Sequence, residues 1–575
     1  MRILFITTAF NGMAQRLWID LDRLNHEVVV HIAEDYQKMI ETTENYQPDL
    51  IVAPYLNTKI PKEIFEKYIC LVVHPGIVGD RGASSLDWAI LRGEINWGVT
   101  ILQAVEKMDA GPIWSFQPFR MRTVSKAQLY RNEVTQAAAK GILEAILKVE
   151  TNSLPITLNE YNANRKGSWN RKIKQKDLAF SWEEATNTIL PKINAADSTP
   201  GVLGEILSEK FFLYGAHREG RLRGKPGTIL STRNEAVCIA TGDAAIWITH
   251  MKATTPASIK LPSTIALGDL ACELPADDLS PFDEIPYPTW REIRFEREGD
   301  VGYIYFDFYN GAMSARQCLS LRDTIIEAKS QKIKVIVLMG GQDVWSNGIH
   351  LNVIHHADDP ANESWENINA IDDLILEIIT STDHFFISAL QGNAGAGGVS
   401  LALASDKILA RNGIVLNPHT KNMGLYGSEY WTYLLPNRIG IEKSIRFTED
   451  CLPWGVAMAK EIGLIDDFHG ETNEEFIQFV KSQAQKIVNL PYFDKLIKAK
   501  KFKRIKDERN KPLSKYREEE LARMYKNFYE DDENYHYKRH CFVHKIPEAN
   551  VPQNLFANRR KIYRKRKWES INYQQ

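Results

Sequence analysis

A chain of 575 residues exceeds what one hydrophobic core can organise and implies several domains. A formal net charge of −2 excludes a polyanion-binding role for the protein as a whole, and apolar and charged fractions of 44% and 25% are those of an ordinary globular chain. Six cysteines stand far apart with no C-x-x-C pair, which argues against a zinc site or a disulfide framework, so no metal is expected. The opening MRILFITTAF is too short for a signal sequence and no later run approaches a membrane span, so the expected location is the reducing cytoplasm, with no membrane partner.

In chain order, strand signals at Arg2–Thr7, Glu27–Ile32 and Leu50–Ala53 alternate with helical patterns, as in a parallel sheet covered by helices on both faces. The loop after the first strand has one glycine and no G-x-G-x-x-G, which argues against a dinucleotide site. An apolar strand over residues 69–73 delivers His74 to its carboxyl end, where Pro75-Gly76 turns the backbone. A second strand over 99–105 leads to a loop carrying Asp109 and Gly111. If the two strands are neighbours, His74 faces Asp109, and a histidine held by a carboxylate can shuttle a proton near neutral pH. Taken alone, each residue fits a bland reading equally well, His74 as a strand cap and Asp109 as a turn residue.

A larger pattern surrounds the pair. His74-Pro75-Gly76, Asp80-Arg81-Gly82-Ala83, Trp88-Ala89-Ile90-Leu91-x-Gly93-Glu94, Gly98-Val99-Thr100 and Met108-Asp109-Ala110-Gly111-Pro112-Ile113 follow in an order and spacing that resemble the formyltetrahydrofolate-dependent formyltransferase and hydrolase family over roughly the first 150 residues. The resemblance implies that His74 and Asp109 are the catalytic pair, that Gln15 and Arg16 are either contacts to the acceptor pocket or surface residues of a helix start, that Tyr55 helps shape the pterin pocket, and that Arg81 is a substrate contact or a loop anchor. One departure stands out: the asparagine that helps hold the oxyanion in the family is replaced by Val72, so either another donor takes that charge or the reaction is a modified one.

The helix expected over 126–150 closes a first domain at about residue 160. Residues 162–175 read as a polar, basic linker, and short β runs within 201–248 suggest a small barrel, similar to the OB-like domain those formyltransferases often carry, filling 161–274 with a scaffolding role. A Pro- and Asp-rich stretch over 275–289 is a second linker. Over 290–490, Val344-Trp345-Ser346-Asn347-Gly348-Ile349, Gln391-Gly392-Asn393-Ala394-Gly395-Ala396-Gly397-Gly398 and Ala457-x-x-x-Glu461-x-Gly463-Leu464-Ile465-Asp466 resemble, in order, the motifs of the crotonase superfamily, which handles acyl-coenzyme A thioesters. That resemblance implies an oxyanion hole from the amides of Ile349 and Gly397.

Hydratases of that superfamily carry two glutamates; here Ser400, a pocket contact, stands at the first position and Asn417-Pro418-His419 at the second, so addition of water to an enoyl thioester is not expected. The loop Gly424-Leu425-Tyr426-Gly427-Ser428-Glu429-Tyr430 offers Tyr426 and Glu429 as proton donor and acceptor instead; alternatively Glu429 favours a helix start and Tyr426 packs. Residues 491–575 read as a helical tail: 513–529 as an amphipathic helix over the acyl pocket, and 559–567 as a strongly basic run that is either solvated or a contact to nucleic acid or coenzyme A phosphates.

The order of domains resembles, end to end, the HypX/HoxX family of hydrogenase-maturation proteins. The fold expected is therefore α/β multidomain: a Rossmann-like formyltransferase fold, a small OB-like barrel and a crotonase fold with a helical tail. The implied chemistry is transfer of formyl from 10-formyltetrahydrofolate to coenzyme A, then decarbonylation of formyl-coenzyme A to carbon monoxide for the [NiFe]-hydrogenase ligand. Hydrogenase maturation proteins or the hydrogenase large subunit are the implied partners, and nucleic acid is not expected. Two alternatives stay open: a formyltransferase acting on another amine, and a non-catalytic assembly factor that binds folate and coenzyme A.

Overall fold

The computed structural model describes residues 1–161, 167–546 and 555. The expected basic run at 559–567 and part of the first linker, 162–166, lie outside the described residues.

Six strands build the first sheet: β1 (Arg2–Thr7), β2 (Glu27–Ile32), β3 (Leu50–Ala53), β4 (Cys70–His74), β5 (Asn96–Gln103) and β6 (Ile113–Arg120), in spatial order β2-β1-β3-β4-β5-β6. Alternate side chains of β1 enter two cores: Ile3 and Phe5 pack with Leu17, Trp18 and Ile142, whereas Leu4 and Ile6 pack with Met39, Ile51 and Ile64. Period-two apolar residues buried on both faces are what a helix-covered parallel sheet requires. The first four strands are parallel, as expected, but β5 runs antiparallel to β4 and β6 antiparallel to β5. The strands carrying His74 and leading to Asp109 are thus neighbours with opposite directions, His74 pairing with Thr100. Asp109 reaches His74 because the loop after β5 folds back: Gln103 N–H donates to Pro112 O at 2.9 Å, and Asp109 adopts φ +54°.

The middle region is a six-stranded antiparallel sheet in which Val202–Ile206, Glu209–Glu219, Ala245–Ala253, Ala236–Ala240 and Ile229–Arg233 lie side by side and Leu261–Pro262 pairs with Ala245–Ala253. Among the described residues the two end strands do not pair with each other, so the expected OB-like barrel is an open one. The linker residues just after 166 are fastened rather than free: Arg81 N–H donates to Ser168 O at 3.2 Å and Asn170 N–H to Arg81 O at 2.8 Å.

The third region stacks a six-stranded sheet, from the hairpin Ile293–Glu298/Val301–Phe306 through three parallel strands to Asp467–His469, beside a small sheet of Val344–Ser346, Asn393–Gly395, Val415–Asn417 and Trp454–Gly455. Four helices follow, Asn473–Val488, Phe493–Asn510, Leu513–Tyr525 and Tyr535–Val543, the third over the loop that carries Glu429. First and third regions meet at Asp343, which is buried and takes hydrogen bonds from Arg122 Nη2 at 2.8 Å, Gln128 Nε2 at 2.7 Å and Asn132. Arg411 Nη2 donates to Asn132 Oδ1 at 2.5 Å, so each charge buried at this junction is hydrogen-bonded.

Candidate active sites

His74 is buried at the end of β4 with both ring nitrogens facing carboxylates. Nε2 lies 3.0 Å from Asp80 Oδ1, and Nδ1 lies 3.7 Å from Asp109 Oδ1. The first is a hydrogen bond and the second is too long for one. Asp80 is held in turn by Asn170 Nδ2 at 2.8 Å, and Asn170 Oδ1 accepts from Arg92 Nη2 at 2.7 Å. A carboxylate bonded to Nε2 keeps the proton on that nitrogen and leaves the Nδ1 lone pair facing Asp109, the arrangement of a base with an orienting acid behind it. The Gly82 N–H fixes Asp109 through Oδ2 at 3.0 Å. Gly76 must lack a side chain: a Cβ there would lie 2.4 Å from His74 Nε2 and 2.8 Å from Asp80 Oδ1.

A cavity of about 1220 Å³ opens in front of the pair. Tyr55, Leu56, Val72, Leu102, Val105 and Met108 give it apolar wall, which suits a pterin, and the Tyr55 carbonyl is fixed by Thr8 N–H at 2.7 Å. Val72, at the oxyanion position, offers no donor. Ser85 lines the cavity beside His74, and its buried hydroxyl has no hydrogen-bond partner. The same cavity runs on past Arg131, Lys172, Ser198 and Thr199 to Asn393 and Lys545 of the third region. Six cationic side chains line it (Lys59, Lys62, Lys126, Arg131, Lys172, Lys545) against three carboxylates (Asp87, Glu106, Asp109), a balance that favours a polyanionic ligand.

Two of the expected acceptor contacts sit elsewhere. Arg16 pairs with Asp20 at 2.7 Å and lies against Gly413, and Gln15 Oε1 accepts from Asn417 Nδ2 at 3.3 Å, so both belong to the junction between the first and third regions. Helix Gly12–Arg23 is flanked on that side by the third region, which sequence periodicity cannot reveal. Arg81 does not line the cavity; its backbone pairs with Ser168 and Asn170, the loop-anchor alternative, and its Nε is buried without a partner.

In the third region the turn before helix Gly397–Leu403 is strained. Ala396 adopts φ +46°, ψ −129°, a region open essentially to glycine, and is held by its N–H donating to Asn417 O at 2.9 Å. This turn brings Gly397 close to Gly348, the residue before Ile349: a Cβ on Gly348 would lie 3.1 Å from Gly397 N. A Cβ on Gly397 would lie 2.1 Å from Glu429 Oε1, so the Glu429 carboxyl stands directly against the expected oxyanion hole. Glu429 and Tyr430 are both left-handed, at φ +60° and +56°, a conformation costing roughly 1–3 kcal/mol per residue. Two buried carboxylates hold them: Asp372 Oδ1 accepts from Glu429 N–H at 2.7 Å, and Glu520 Oε2 accepts from Tyr430 N–H at 2.9 Å.

Burial first, then the neighbouring Asp372 and Glu520, push the Glu429 carboxyl up to about 8. Burial likewise raises Asp372 to about 7 and Glu520 to about 8. Three carboxyls sharing a dry site cannot all ionise, and Glu429 is thereby poised near neutral pH. Tyr426 is half-buried, its ring 5.4 Å from Trp431, and its backbone N–H donates to Asn527 Oδ1 at 2.8 Å. Ser400 is buried on the helix that Gly397 opens. Ile349, Gly397 and Glu429 do not line the large cavity, whose nearest wall residue in sequence is Asn393.

Comparison with known proteins agrees with the three regions. Residues 21–146 match the formyl transferase family, 172–265 the formyl transferase C-terminal domain and 308–546 the enoyl-CoA hydratase/isomerase family. The hydrogenase maturation factor HoxX of Bradyrhizobium diazoefficiens is 41% identical over 565 residues, covering 97% of each chain. The chain belongs to the HoxX/HypX family. The crystal structure of HypX from Aquifex aeolicus in complex with tetrahydrofolic acid superposes with a TM-score of 0.94 at 45% identity, covering 97% of this chain and 99% of that one. Methionyl-tRNA formyltransferase of Bacillus subtilis is similar only in part, 23% identical over 39% of this chain. Membership of the HoxX/HypX family thus accounts for both the formyltransferase and the crotonase motifs in one polypeptide. No helix among the described residues is long and apolar enough to cross a membrane.

Proposed function

We propose that this protein moves the formyl group of 10-formyltetrahydrofolate to the thiol of coenzyme A and then cleaves the formyl thioester to carbon monoxide, serving hydrogenase maturation as its HoxX and HypX relatives are named for. The observation that carries the reading is the single cavity running from His74 and Asp109 to Asn393 and Lys545, lined by an excess of cations suited to coenzyme A phosphates.

In the first step His74 Nδ1 accepts the thiol proton and the sulfur attacks the formyl carbon. The C–N bond to the folate then breaks, with the proton returned to the leaving nitrogen. Ser85 supplies the oxyanion donor that Val72 cannot. In the second step the amides of Ile349 and Gly397 hold the formyl oxygen, Glu429 takes the formyl proton, and the C–S electron pair leaves with sulfur. Carbon monoxide departs and the proton passes from Glu429 to the thiolate, regenerating coenzyme A. Tyr426, Ser400, Gln15, Arg16 and Arg81 act in this scheme by packing or by holding the regions together, and Tyr55 shapes the folate pocket.

The test is acceptor dependence. Tetrahydrofolate release by the purified protein is expected to require coenzyme A and to ignore methionyl-tRNA and simple amines. Release supported by one of those amines, or by water alone at the same rate, contradicts the assignment.

A further inference from the structure

A cluster of histidines lies outside both sites. His355 closes helix Leu351–His356, while His540 lies on helix Tyr535–Val543 and His544 caps its end. The 540/544 spacing of four places both rings on one helical face, the spacing by which helices present paired metal ligands. One ring nitrogen from each of the three histidines lies within 4.8 Å of the other two. The Nε2 atoms of His355 and His544 are 3.3 Å apart, and the rings of His540 and His544 have centroids 4.4 Å apart. The Nδ1 of His355 is buried without a hydrogen-bond partner, so the only hydrogen bond this ring makes among the described residues is the one from Nε2 to His544.

We propose that His355, His540 and His544 form a binding site for one divalent transition-metal ion of the zinc class. In a tetrahedral site with Zn–N bonds of about 2.0–2.1 Å, ligand nitrogens stand roughly 3.3–3.4 Å apart, which the His355–His544 pair already meets. The donor set is all imidazole with no carboxylate, which selects zinc, nickel or copper over calcium or magnesium. His540 is exposed, so the cluster is reachable from solvent. The cysteine spacing that argues against zinc in the sequence carries no information about this site, because every ligand is a histidine and one comes from a helix far away in the chain.

The ion would join two elements that flank the proposed chemistry. Ile349 lies two residues before helix Leu351–His356, and Lys545, a wall residue of the large cavity, directly follows His544. Metal binding would therefore set the position of both. This role stands apart from the formyl transfer proposed above, since none of the three ligands lines the cavity.

Untagged full-length protein, stripped with chelator and titrated with zinc chloride by calorimetry, is expected to bind one equivalent. His540→Ala, at an exposed position, and His544→Gln should each weaken binding at least tenfold, whereas His536→Ala, whose Nε2 is engaged with Phe528 O at 2.7 Å, should leave it unchanged. Amides of helix Tyr535–Val543 should exchange more slowly with zinc bound. Absence of saturable binding, more than one equivalent, undiminished binding in both ligand variants, or unaltered exchange in the helix would overturn the proposal.

Discussion

His74→Ala is expected to slow coenzyme A-dependent tetrahydrofolate formation by about 10²–10⁴-fold, the usual contribution of a positioned acid–base group, while folate binding persists. The ring is the only titratable side chain among the described residues that touches both Asp80 and Asp109, so no neighbour can substitute for its Nδ1. Folate binding survives because the apolar wall from Tyr55 to Met108 is untouched. Ser85→Ala tests the oxyanion donor in the same assay, and removal of one such donor typically costs about 10²–10³-fold. The bland alternative, His74 as a strand cap, predicts the opposite separation. Ala would then leave turnover within a few-fold of wild type and lower the melting temperature.

Glu429→Gln is expected to leave the first step intact and to slow carbon monoxide release by about 10²–10⁴-fold, so that formyl-coenzyme A accumulates. Glutamine keeps the volume and can still accept from the Ser428 N–H, which Glu429 Oε2 does at 2.8 Å, but it cannot take a proton. The wild-type pH profile should separate the roles. A base with its pKa raised to about 8 is ionised only in part at neutral pH, so the release step should quicken as pH rises through about 8 and level off above. In Glu429→Gln that rise should disappear. Because Asp372 and Glu520 titrate in the same range, the midpoint belongs to the cluster rather than to Glu429 alone. Wild-type carbon monoxide yields in Glu429→Gln, measured by rapid quench, would assign the carboxyl to holding its strained loop.

The split between what was legible and what was not follows the reach of the interactions. His74, Asp109, Ile349, Gly397 and Glu429 sit in or beside short motifs whose glycines and turns fix local geometry, so resemblance to known families makes them candidates before any fold is seen. Asp80 lies inside one of those motifs but carries no sign of its role, because its bond to His74 depends on how the Pro75–Gly82 segment closes. Asn170 lies ninety positions from its partner Asp80, beyond any periodicity. Asp372 and Glu520 did leave a signal. Asp372 stands on the buried stripe Ile368, Ile371, Ile375, Ile378, and Glu520 stands between Leu513 and Met524 on the buried face of its helix. A carboxylate on an apolar stripe marks a buried partner, although only the fold says which one. Gln15 and Arg16 stand at the junction instead of in the large cavity for the same reason in reverse, since a helix opening beside a pocket looks the same whether its side chains face ligand or another domain. The reversal of β5 and the open edge of the middle sheet are topological features that strand propensity does not encode.

The relay of one carbon through a thioester inside a single polypeptide is tested most directly with 10-formyltetrahydrofolate labelled in its formyl carbon, supplied with coenzyme A to the purified protein, with gas and solution products both counted. Labelled carbon monoxide in step with tetrahydrofolate, lost when coenzyme A is omitted, is the expected result. Label recovered only as formate, or carbon monoxide formed without coenzyme A, would contradict it.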